Sequence, residues 1–444
     1  MNQNGPSLWT QLPQSSRAPR DRYKHACCSS DGHVYVLGGR DSSCLRDLWR
    51  YSVVCNEWTE LNCRGEAAPE ELEEHSMVAH EGFLYVFGGL LDSAYSNSRY
   101  PLWLFDIGEF SCGAVWLAAG GEACTSTPTS KQKWMNCRGK SGSTQTPSNR
   151  KGHSSVVVGS AMLVYGGFVD LKGSSQDFWS LDFDSMAWSL LSDPQHGSAG
   201  PGCRHGHSAV AHQSCMYLFG GLKGLREQRD FWKWNSTSCT WTSLRNKSGP
   251  SRLTGHSAVA YRDGMLLFGG GESQHSPSSC LWRYSFTSLT WTQVATLPGS
   301  SPPKKIHHSC IGLGPSYKSN SHSSSSGSGI QTRLLESRMR PFKNKCFPAP
   351  LSFLGSDGAI ELETFSQDQC YDTKLRASEL IKNGTQQLGN CLTFENKAFG
   401  KKSSDDEEDG DAALHLPDLL LVLGGRPCSS HGPISVWQMT LTDS

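Results

Sequence analysis

The sequence lacks the features that would place the chain in a membrane or in a secreted class. No apolar run approaches the ~18 residues that a transmembrane helix needs. The N-terminal segment has no basic region followed by an apolar core, so it does not resemble a secretory leader. We therefore expect no membrane association, and we expect the 17 cysteines to be reduced thiols of an intracellular protein. Cytoplasmic residence is the expectation, and the composition does not separate it from nuclear residence.

An excess of charge of either sign is also missing. Lys and Arg together number 41, and so do Asp and Glu, which argues against bulk electrostatic binding of nucleic acid. The sequence has no Cys-x-x-Cys pair and no zinc-type spacing of His and Cys. Its Gly-Gly pairs do not belong to a nucleotide-binding phosphate loop. We accordingly expect no catalytic residue, no metal site and no cofactor.

What the sequence does contain is one unit repeated along most of its length. In the stretch Arg204–Gly221, a histidine, an apolar run, a polar turn and a second apolar run precede a Gly-Gly pair. The distance from His207 to Gly220 is 13 residues, and four further copies keep that spacing, so the unit is a sequence repeat. The other pairs are His25 with Gly38, His75 with Gly88, His153 with Gly166, and His256 with Gly269.

Each unit is predicted to form four β-strands. The first carries the histidine and the second ends at the Gly-Gly pair, and their aromatic and β-branched residues favour strand over helix. The third and fourth carry tryptophans nine residues apart, as at Trp179 and Trp188, which suits two short strands and a tight turn. The second unit is irregular. We assign its fourth strand to Trp116, 13 residues after Trp103, and expect a long loop over residues 118–149.

The units resemble the kelch repeat in length, in the Gly-Gly pair, in the spaced aromatic residues and in an Arg-x-x-His sequence. This resemblance implies a β-propeller in which each unit forms one four-stranded blade. The last copy ends before a fourth strand, whereas residues 8–12 carry the signature of a fourth strand without the other three. We therefore predict an all-β, six-bladed propeller whose last blade is closed by the N-terminal strand.

Three segments follow from this prediction. Residues 1–311 supply five blades and the start of the sixth, and residues 417–444 supply the remainder of blade 6. Residues 312–416 form a low-complexity insertion that we expect to be largely disordered. Within it, Ser403 and Ser404 precede an acidic run, which favours either phosphorylation by an acidophilic kinase or a merely solubilising role.

The six repeat histidines have a structural interpretation that we favour over metal binding. We expect each of them to form a hydrogen bond with the backbone of its own blade. The histidines are His25, His75, His153, His207, His256 and His308.

The resemblance also implies a binding surface. In kelch propellers, the loops between strands two and three share one rim with the loops between blades, and that rim usually holds the partner. Here these loops are rich in arginine, which favours a protein or peptide partner with an acidic or C-terminal segment. For the three arginines that precede a repeat histidine, a bridge between blades is the competing interpretation. The candidate binding residues are Arg22, Arg40, Arg46, Arg99, Arg150, Arg204, Arg226, Arg229, Arg252 and Arg426.

These features favour a non-enzymatic interaction scaffold, and we expect a monomer because a closed ring leaves few free sheet edges. The alternative is a substrate-recognition subunit of a cullin-type ubiquitin ligase. Many kelch propellers have that role, although no BTB, F-box or elongin-binding segment is recognisable in the sequence. A propeller enzyme resembling the kelch copper oxidases is least favoured, because no tyrosine–cysteine cofactor set is identifiable.

Overall fold

Strands form nearly all the regular structure, as the alternating and fully apolar runs of the repeat predict. In the described part of the chain, no helix is long and apolar enough to cross a membrane. The computed structural model describes residues 8–63, 67–91, 101–107, 133–137, 145–192, 200–273, 275–297, 300, 303–317, 417–429 and 431–441, and the backbone of 360–362 and 392–394.

The chain divides into two units, and the first contains six four-stranded antiparallel sheets. Its N-terminal strand is β1 (Trp9–Leu12). Blade 1 consists of β2 (Ala26–Ser30), β3 (His33–Leu37), β4 (Leu48–Ser52) and β5 (Glu57–Leu61). Blade 2 consists of β6 (Ser76–His80), β7 (Phe83–Phe87), β8 (Leu102–Asp106) and β9 (Trp134–Asn136).

Blades 3 and 4 each add a short hairpin between their second and third long strands. Blade 3 consists of β10 (Ser154–Val158), β11 (Ala161–Tyr165), the hairpin β12 (Phe168–Val169) and β13 (Gly173–Ser174), β14 (Phe178–Asp182) and β15 (Ala187–Leu190). Blade 4 consists of β16 (Ser208–His212), β17 (Cys215–Phe219), the hairpin β18 (Leu222–Lys223) and β19 (Arg226–Glu227), β20 (Phe231–Asn235) and β21 (Thr240–Leu244).

The last two blades complete the first unit. Blade 5 consists of β22 (Ser257–Tyr261), β23 (Gly264–Phe268), β24 (Leu281–Ser285) and β25 (Thr290–Gln293). Blade 6 consists of β26 (Ser309–Leu313), β29 (Asp418–Leu423), β30 (Val436–Leu441) and β1. A 3₁₀ turn, Pro315–Tyr317, follows β26. In the second unit, β27 (Ile360–Leu362) pairs with β28 (Leu392–Phe394).

The N-terminal strand closes the ring as predicted. It runs antiparallel to β30, with Trp9 opposite Met439 and Leu12 opposite Val436. Each innermost strand lies beside those of both neighbouring blades, and β26 of blade 6 lies beside β2 of blade 1. The prediction of a six-bladed propeller closed by residues 8–12 is therefore confirmed.

The core lies between the blades. The second strands are buried on both faces, because each is covered by a neighbouring sheet on either side, and this explains their unbroken apolar runs. At the boundary of blades 6 and 1, Val34 and Val36 pack in one cluster with Leu419 and Leu421. A single sheet could not cover its own apolar faces, so each blade depends on its neighbours.

Two boundaries differ from the predictions. The fourth strand of blade 2 carries Trp134 rather than Trp116, so the extra residues lie between the third and fourth strands. Trp134 packs on Phe105 with ring centroids 4.9 Å apart, which takes the place of the regular nine-residue spacing. The insertion in blade 6 also begins later than predicted, because Gly312 still pairs with Leu420 inside the sheet. Apart from residues 312–317 and the strand pair β27 and β28, the predicted disorder concerns residues outside those that the structure describes.

Candidate peptide-binding rim

Both kinds of loop that were expected to bind a partner lie at one end of the blades. In blade 4, His205 in the loop from blade 3 forms a β-bridge with Leu222, which follows the Gly-Gly pair. In blade 3, Lys151 forms the equivalent bridge with Phe168. The loops between blades and the loops between second and third strands therefore make up a single surface, which we call the rim.

Two closed series of backbone hydrogen bonds hold the rim together around the ring. In the first, the residue before each repeat histidine donates its N–H to the equivalent residue of the preceding blade, as Gly206 does to Gly152. In the second, the second glycine of each blade donates to the residue three positions before the histidine of the next blade, as Gly221 does to Leu253. Because both series return from blade 6 to blade 1, every seam is joined in the same way.

The repeat histidines lie in these seams, and the side-chain hydrogen bonds of His153, His207 and His256 cross to the preceding blade. His153 Nε2 lies 2.8 Å from Ser76 Oγ, and His256 Nε2 lies 3.2 Å from the carbonyl oxygen of Phe219. For these three histidines, the expectation of a bond within their own blade was therefore wrong. Burial lowers the pKa of His153 to about 3 and of His256 to about 4, so these imidazoles are neutral at pH 7. Among the described residues, no group of three or more His, Cys, Asp or Glu side chains could hold a metal ion.

Three of the predicted binding arginines are buried beneath the rim. Arg22, Arg150 and Arg204 are 0%, 1% and 0% exposed. Each donates to the carbonyl oxygen of the first glycine of its own blade and to the carboxylate that precedes its third strand. A partner therefore cannot contact these side chains. Their side chains do not bridge blades either. The backbone carbonyl oxygen of each arginine does, because it accepts a hydrogen bond from the second glycine of the preceding blade.

Arg204 illustrates how these buried arginines hold the rim loops, and we call each of them, together with its carboxylate, a pin. Its guanidinium binds the carboxylate of Asp230 through two bonds of 2.8 and 2.7 Å, and Trp232 Nε1 donates to the same carboxylate at 2.7 Å. Burial by itself would raise the pKa of Asp230, but the hydrogen bonds and charge of Arg204 outweigh it and hold that pKa below its usual value. A bidentate pair of this kind fixes the geometry of the loop.

Ion pairs within the rim neutralise the cations of blades 1 to 3. Arg40 Nη1 lies 3.0 Å from Glu73 Oε2, and Lys151 Nζ lies 3.8 Å from Glu73 Oε1. Lys24 Nζ lies 2.8 Å from Glu74 Oε1 across the seam of blades 1 and 2. Of the predicted residues, Arg40 therefore has an acidic partner within the chain.

Arg46 and Arg426 also have partners within the rim. Arg46 donates to the carbonyl oxygen of Cys63 at 3.1 Å. The guanidinium of Arg426 lies over the ring of Tyr23, 5.1 Å from its centroid. Both arginines are exposed, but these contacts already hold them against the protein.

A notch on the rim of blade 4 brings together Arg226, Arg229 and Arg252. These residues border a cavity of about 340 Å³ that Asn246 also lines. Arg229 Nη2 donates to the carbonyl oxygen of Asn246 at 2.7 Å, and the amide of Asn246 donates to the carbonyl oxygen of Arg229 at 2.8 Å. All three arginines are exposed, and none forms an ion pair with an acidic residue in the described ranges. Two acids also line the cavity: Asp230 is already bound by Arg204, and Glu227 is half-buried and forms none of the ion pairs seen among the described residues.

Sequence reasoning placed these three arginines on one rim but missed Asn246, which has no equivalent signal in the repeat. It also missed two fully exposed leucines in the hairpins of blades 3 and 4. A leucine four positions after the Gly-Gly pair is the signal that could have found them. Arg99, Ser403 and Ser404 lie outside the residues that the structure describes.

Six four-stranded blades with interlocked seams define a closed β-propeller, and its rim of exposed loops has the form of an interaction surface. A sequence profile described as the KLHDC2/KLHL20/DRC7 Kelch-repeats domain matches residues 6–126 and 124–317, which is more than half of the chain. The chain therefore belongs to the kelch-repeat family.

Curated relatives agree with this family. Kelch domain-containing protein 10 of Xenopus laevis is 26% identical over 248 residues, which cover 53% of this chain and 53% of the relative. Kelch domain-containing protein 3 of Rattus norvegicus is 32% identical over 259 residues, which cover 54% of this chain and 60% of the relative. A leucine-zipper-like transcriptional regulator 1 homolog of Drosophila melanogaster is 26% identical over 218 residues, or 20% of its length. The chain thus spans about half the length of the first relatives that it matches.

Proposed function

We propose that this protein is a non-enzymatic interaction module that binds an acidic segment of a partner protein at the notch of blade 4. One observation carries the proposal: three exposed arginines converge on one concave site, and no described acidic residue pairs with them. Guanidinium groups bind carboxylates bidentately, and carboxylates of acidic side chains or of a chain end would both suit this site. Membership of the kelch-repeat family supports a protein partner.

The contrast with the rest of the rim strengthens this choice. Arg40 and Lys24 are paired with Glu73 and Glu74, so a ligand would have to displace an existing acidic partner there. At the notch, a ligand carboxylate would meet Arg226 and Arg252 without an ion pair to displace, while Arg229 keeps its bond to the carbonyl oxygen of Asn246. Charge complementarity of this kind speeds association and selects against basic partners.

A random-sequence peptide library displayed on phage tests the proposal on the whole protein. We expect selected peptides to be enriched in Asp and Glu, and their affinity to fall as the salt concentration rises. The variant Arg226→Glu/Arg229→Glu should lose binding of these peptides by about ten-fold or more. The control Arg245→Glu/Lys247→Glu makes the same change in charge on the same blade, at exposed residues that do not line the notch. Equal affinities for all three proteins would overturn the proposal.

The alternative role, substrate recognition in a cullin-type ubiquitin ligase, concerns the pathway of the protein and would leave its binding site unchanged. Co-purification of a cullin with the whole protein would favour it, and the notch would then bind the substrate. Cytoskeletal or transcription factors as the partners, without a cullin, would argue against it.

A further inference from the structure

The two hairpins of the rim carry apolar side chains that nothing in the described chain covers. Leu171, between β12 and β13, is 94% exposed, and Leu225, between β18 and β19, is 97% exposed. Phe168, at the base of the first hairpin, is 40% exposed. A single exposed leucine needs no explanation, because folded proteins display many apolar atoms. Two exposed leucines at equivalent positions of adjacent blades do need an explanation.

The positions of the two leucines are equivalent. Each follows the second glycine of its blade, Gly167 or Gly221, by four residues, and a basic residue comes directly after it. Leu171 also adopts a left-handed backbone, with φ 66°, which costs a leucine about 1–2 kcal/mol. A strained residue with almost no contacts does not stabilise the blade that carries it.

His205 joins the two hairpins at their bases. Its Nδ1 lies 2.9 Å from Ser174 Oγ of the first hairpin, and its ring meets that of Phe168 edge to face at 5.6 Å. Its backbone forms the β-bridge to Leu222 of the second hairpin. Below them, blades 3 and 4 share one buried cluster. The two hairpins are thus connected parts of one surface, which we call the twin-hairpin lip and define as residues 168–174 and 222–227.

The charges around the lip indicate what would cover it. Lys172, Lys223 and Arg226 flank the two leucines and are exposed, whereas the two acids of the lip, Asp170 and Glu227, are half-buried. Arg226 belongs to both the lip and the notch, so the apolar and basic surfaces are continuous. We infer that the twin-hairpin lip binds apolar side chains of the same partner segment whose carboxylates enter the notch. This inference rests on the proposed function and adds a second, apolar half to the recognised sequence.

Two other occupants fit the lip less well. A second copy of this chain would bring the same basic residues face to face, which is unfavourable. An anionic lipid surface could touch the leucines and lysines, but a flat bilayer would leave the concave notch empty. A peptide segment can fill both surfaces at once.

Separate variants of the twin-hairpin lip and of the notch, each screened with the random-sequence phage library, test the inference. In the wild-type protein, we expect selected peptides to combine apolar residues with Asp or Glu. The variant Leu171→Ser/Leu225→Ser should lose about ten-fold or more in affinity and select peptides that remain acidic without the apolar residues. Leu289→Ser is the matched control, because Leu289 is 59% exposed and has φ 56° but lies in a turn between third and fourth strands, away from the rim.

The outcomes separate the two hypotheses. If the arginine variant loses binding and the leucine variant does not, the notch stands and the lip is refuted. If neither variant changes binding, both are refuted. Sedimentation of the protein with phosphatidylserine vesicles, or concentration-dependent dimerisation, that disappears in Leu171→Ser/Leu225→Ser would assign the lip to lipid or to self-association and overturn the inference.

Discussion

The backbone N–H of Gly425 in blade 6 donates a 2.8 Å hydrogen bond to the carbonyl oxygen of Arg22 in blade 1. The first and last parts of the chain are joined here by the same bond that joins every other pair of blades. Gly425 has φ +89°, and a Cβ at this position would lie 2.5 Å from the Cβ of His308. The glycine pair of each blade is therefore required by close packing as well as by its left-handed backbone.

Gly425→Ala should lower the free energy of unfolding more than Gly82→Ala does. Gly82 also has a left-handed backbone, φ +81°, but a Cβ there would meet nothing within 4 Å. Backbone strain alone predicts a loss of about 1–2 kcal/mol at Gly82, and overpacking against His308 adds about 1–3 kcal/mol at Gly425. Urea unfolding monitored by tryptophan fluorescence measures both. Equal losses would show that the seam tolerates a methyl group.

Removal of the buried arginine of blade 4 tests the pin. Arg204→Ala should destabilise the protein by roughly 2–4 kcal/mol, because it leaves Asp230 without its cation and the carbonyl oxygens of Gly220 and Pro201 without their donor. Asp230 would keep only the donor of Trp232. Arg204→Lys should recover only part of this loss, since an ammonium cannot form the bidentate pair. Exposed Arg252→Ala is the control, with an expected change within about 0.5 kcal/mol. A loss as small for Arg204→Ala as for the control would contradict a role for the pin.

Deletion of residues 1–12 removes β1 and should open the ring. Strand β30 would then present an unpaired edge, and the burial of Trp9 would be lost, at a cost of about 3–5 kcal/mol. We expect a lower melting temperature and concentration-dependent association in size-exclusion chromatography. Deletion of residues 1–7 keeps β1 and serves as the control. If the longer deletion melted like the control, closure by this strand would not stabilise the protein.

The repeat histidines predict that stability decreases in acid. Burial holds the pKa of His153 and His308 at about 3 and that of His256 at about 4, whereas the unfolded chain titrates near the ordinary value of about 6.5. Below about pH 6.5 the unfolded chain therefore binds protons that the folded chain does not. Stability is complete above that pH and is lost as the pH falls towards 4, by up to about 1.4 kcal/mol per pH unit for each histidine.

Urea titrations between pH 7.5 and pH 5 measure this slope. His256→Gln removes one of the titrating groups, so its stability should vary less steeply with pH, whatever its stability at pH 7.5. An unchanged slope would show that His256 takes up its proton at the same pH in the folded protein as in the unfolded chain.

The insertion should be removable without loss of the propeller. Its two flanks are fastened together, because the backbone N–H and hydroxyl of Ser316 donate to Asp418 at 2.9 and 2.5 Å. Arg262 of blade 5 donates to the same carboxylate at 3.2 Å. Replacement of residues 320–415 by a flexible linker of about ten residues should leave the melting temperature within a few degrees. Asp418→Ala in the shortened protein should lower it clearly, and a large fall on shortening alone would contradict the prediction.

The sequence predicts the architecture well because each blade repeats the same information. Five copies of the histidine and Gly-Gly spacing and a sixth, interrupted copy specify one sheet each, and Trp9 without preceding strands specifies the closure. The error at Trp116 arose where only one irregular copy was available. No neighbouring copy shows that Trp134, 31 residues after Trp103, takes the fourth-strand position.

The candidate binding site is less predictable, because the exposure of each arginine depends on partners that are far away in the sequence. Arg204 and Arg226 occur in loops of the same rim, but Asp230 lies where it can bury the first and not the second. Arg204 and Asp230 are 26 residues apart, so only comparison with the equivalent pairs Arg22–Asp47 and Arg150–Asp177 of other blades indicates that they meet. The notch itself arises from the hydrogen bonds between Arg229 and Asn246, which join two separate loops.

The antiparallel pairing of β1 with β30 also determines how the protein would respond to mechanical load. Trp9 lies opposite Met439, so handles attached at residues 8 and 441 would pull on the same end of the two strands. Force would then break their bonds one after another, as in opening a zipper, instead of shearing them together. In an optical trap, a low-force rupture that frees only β1 should come before the extension that releases the blades.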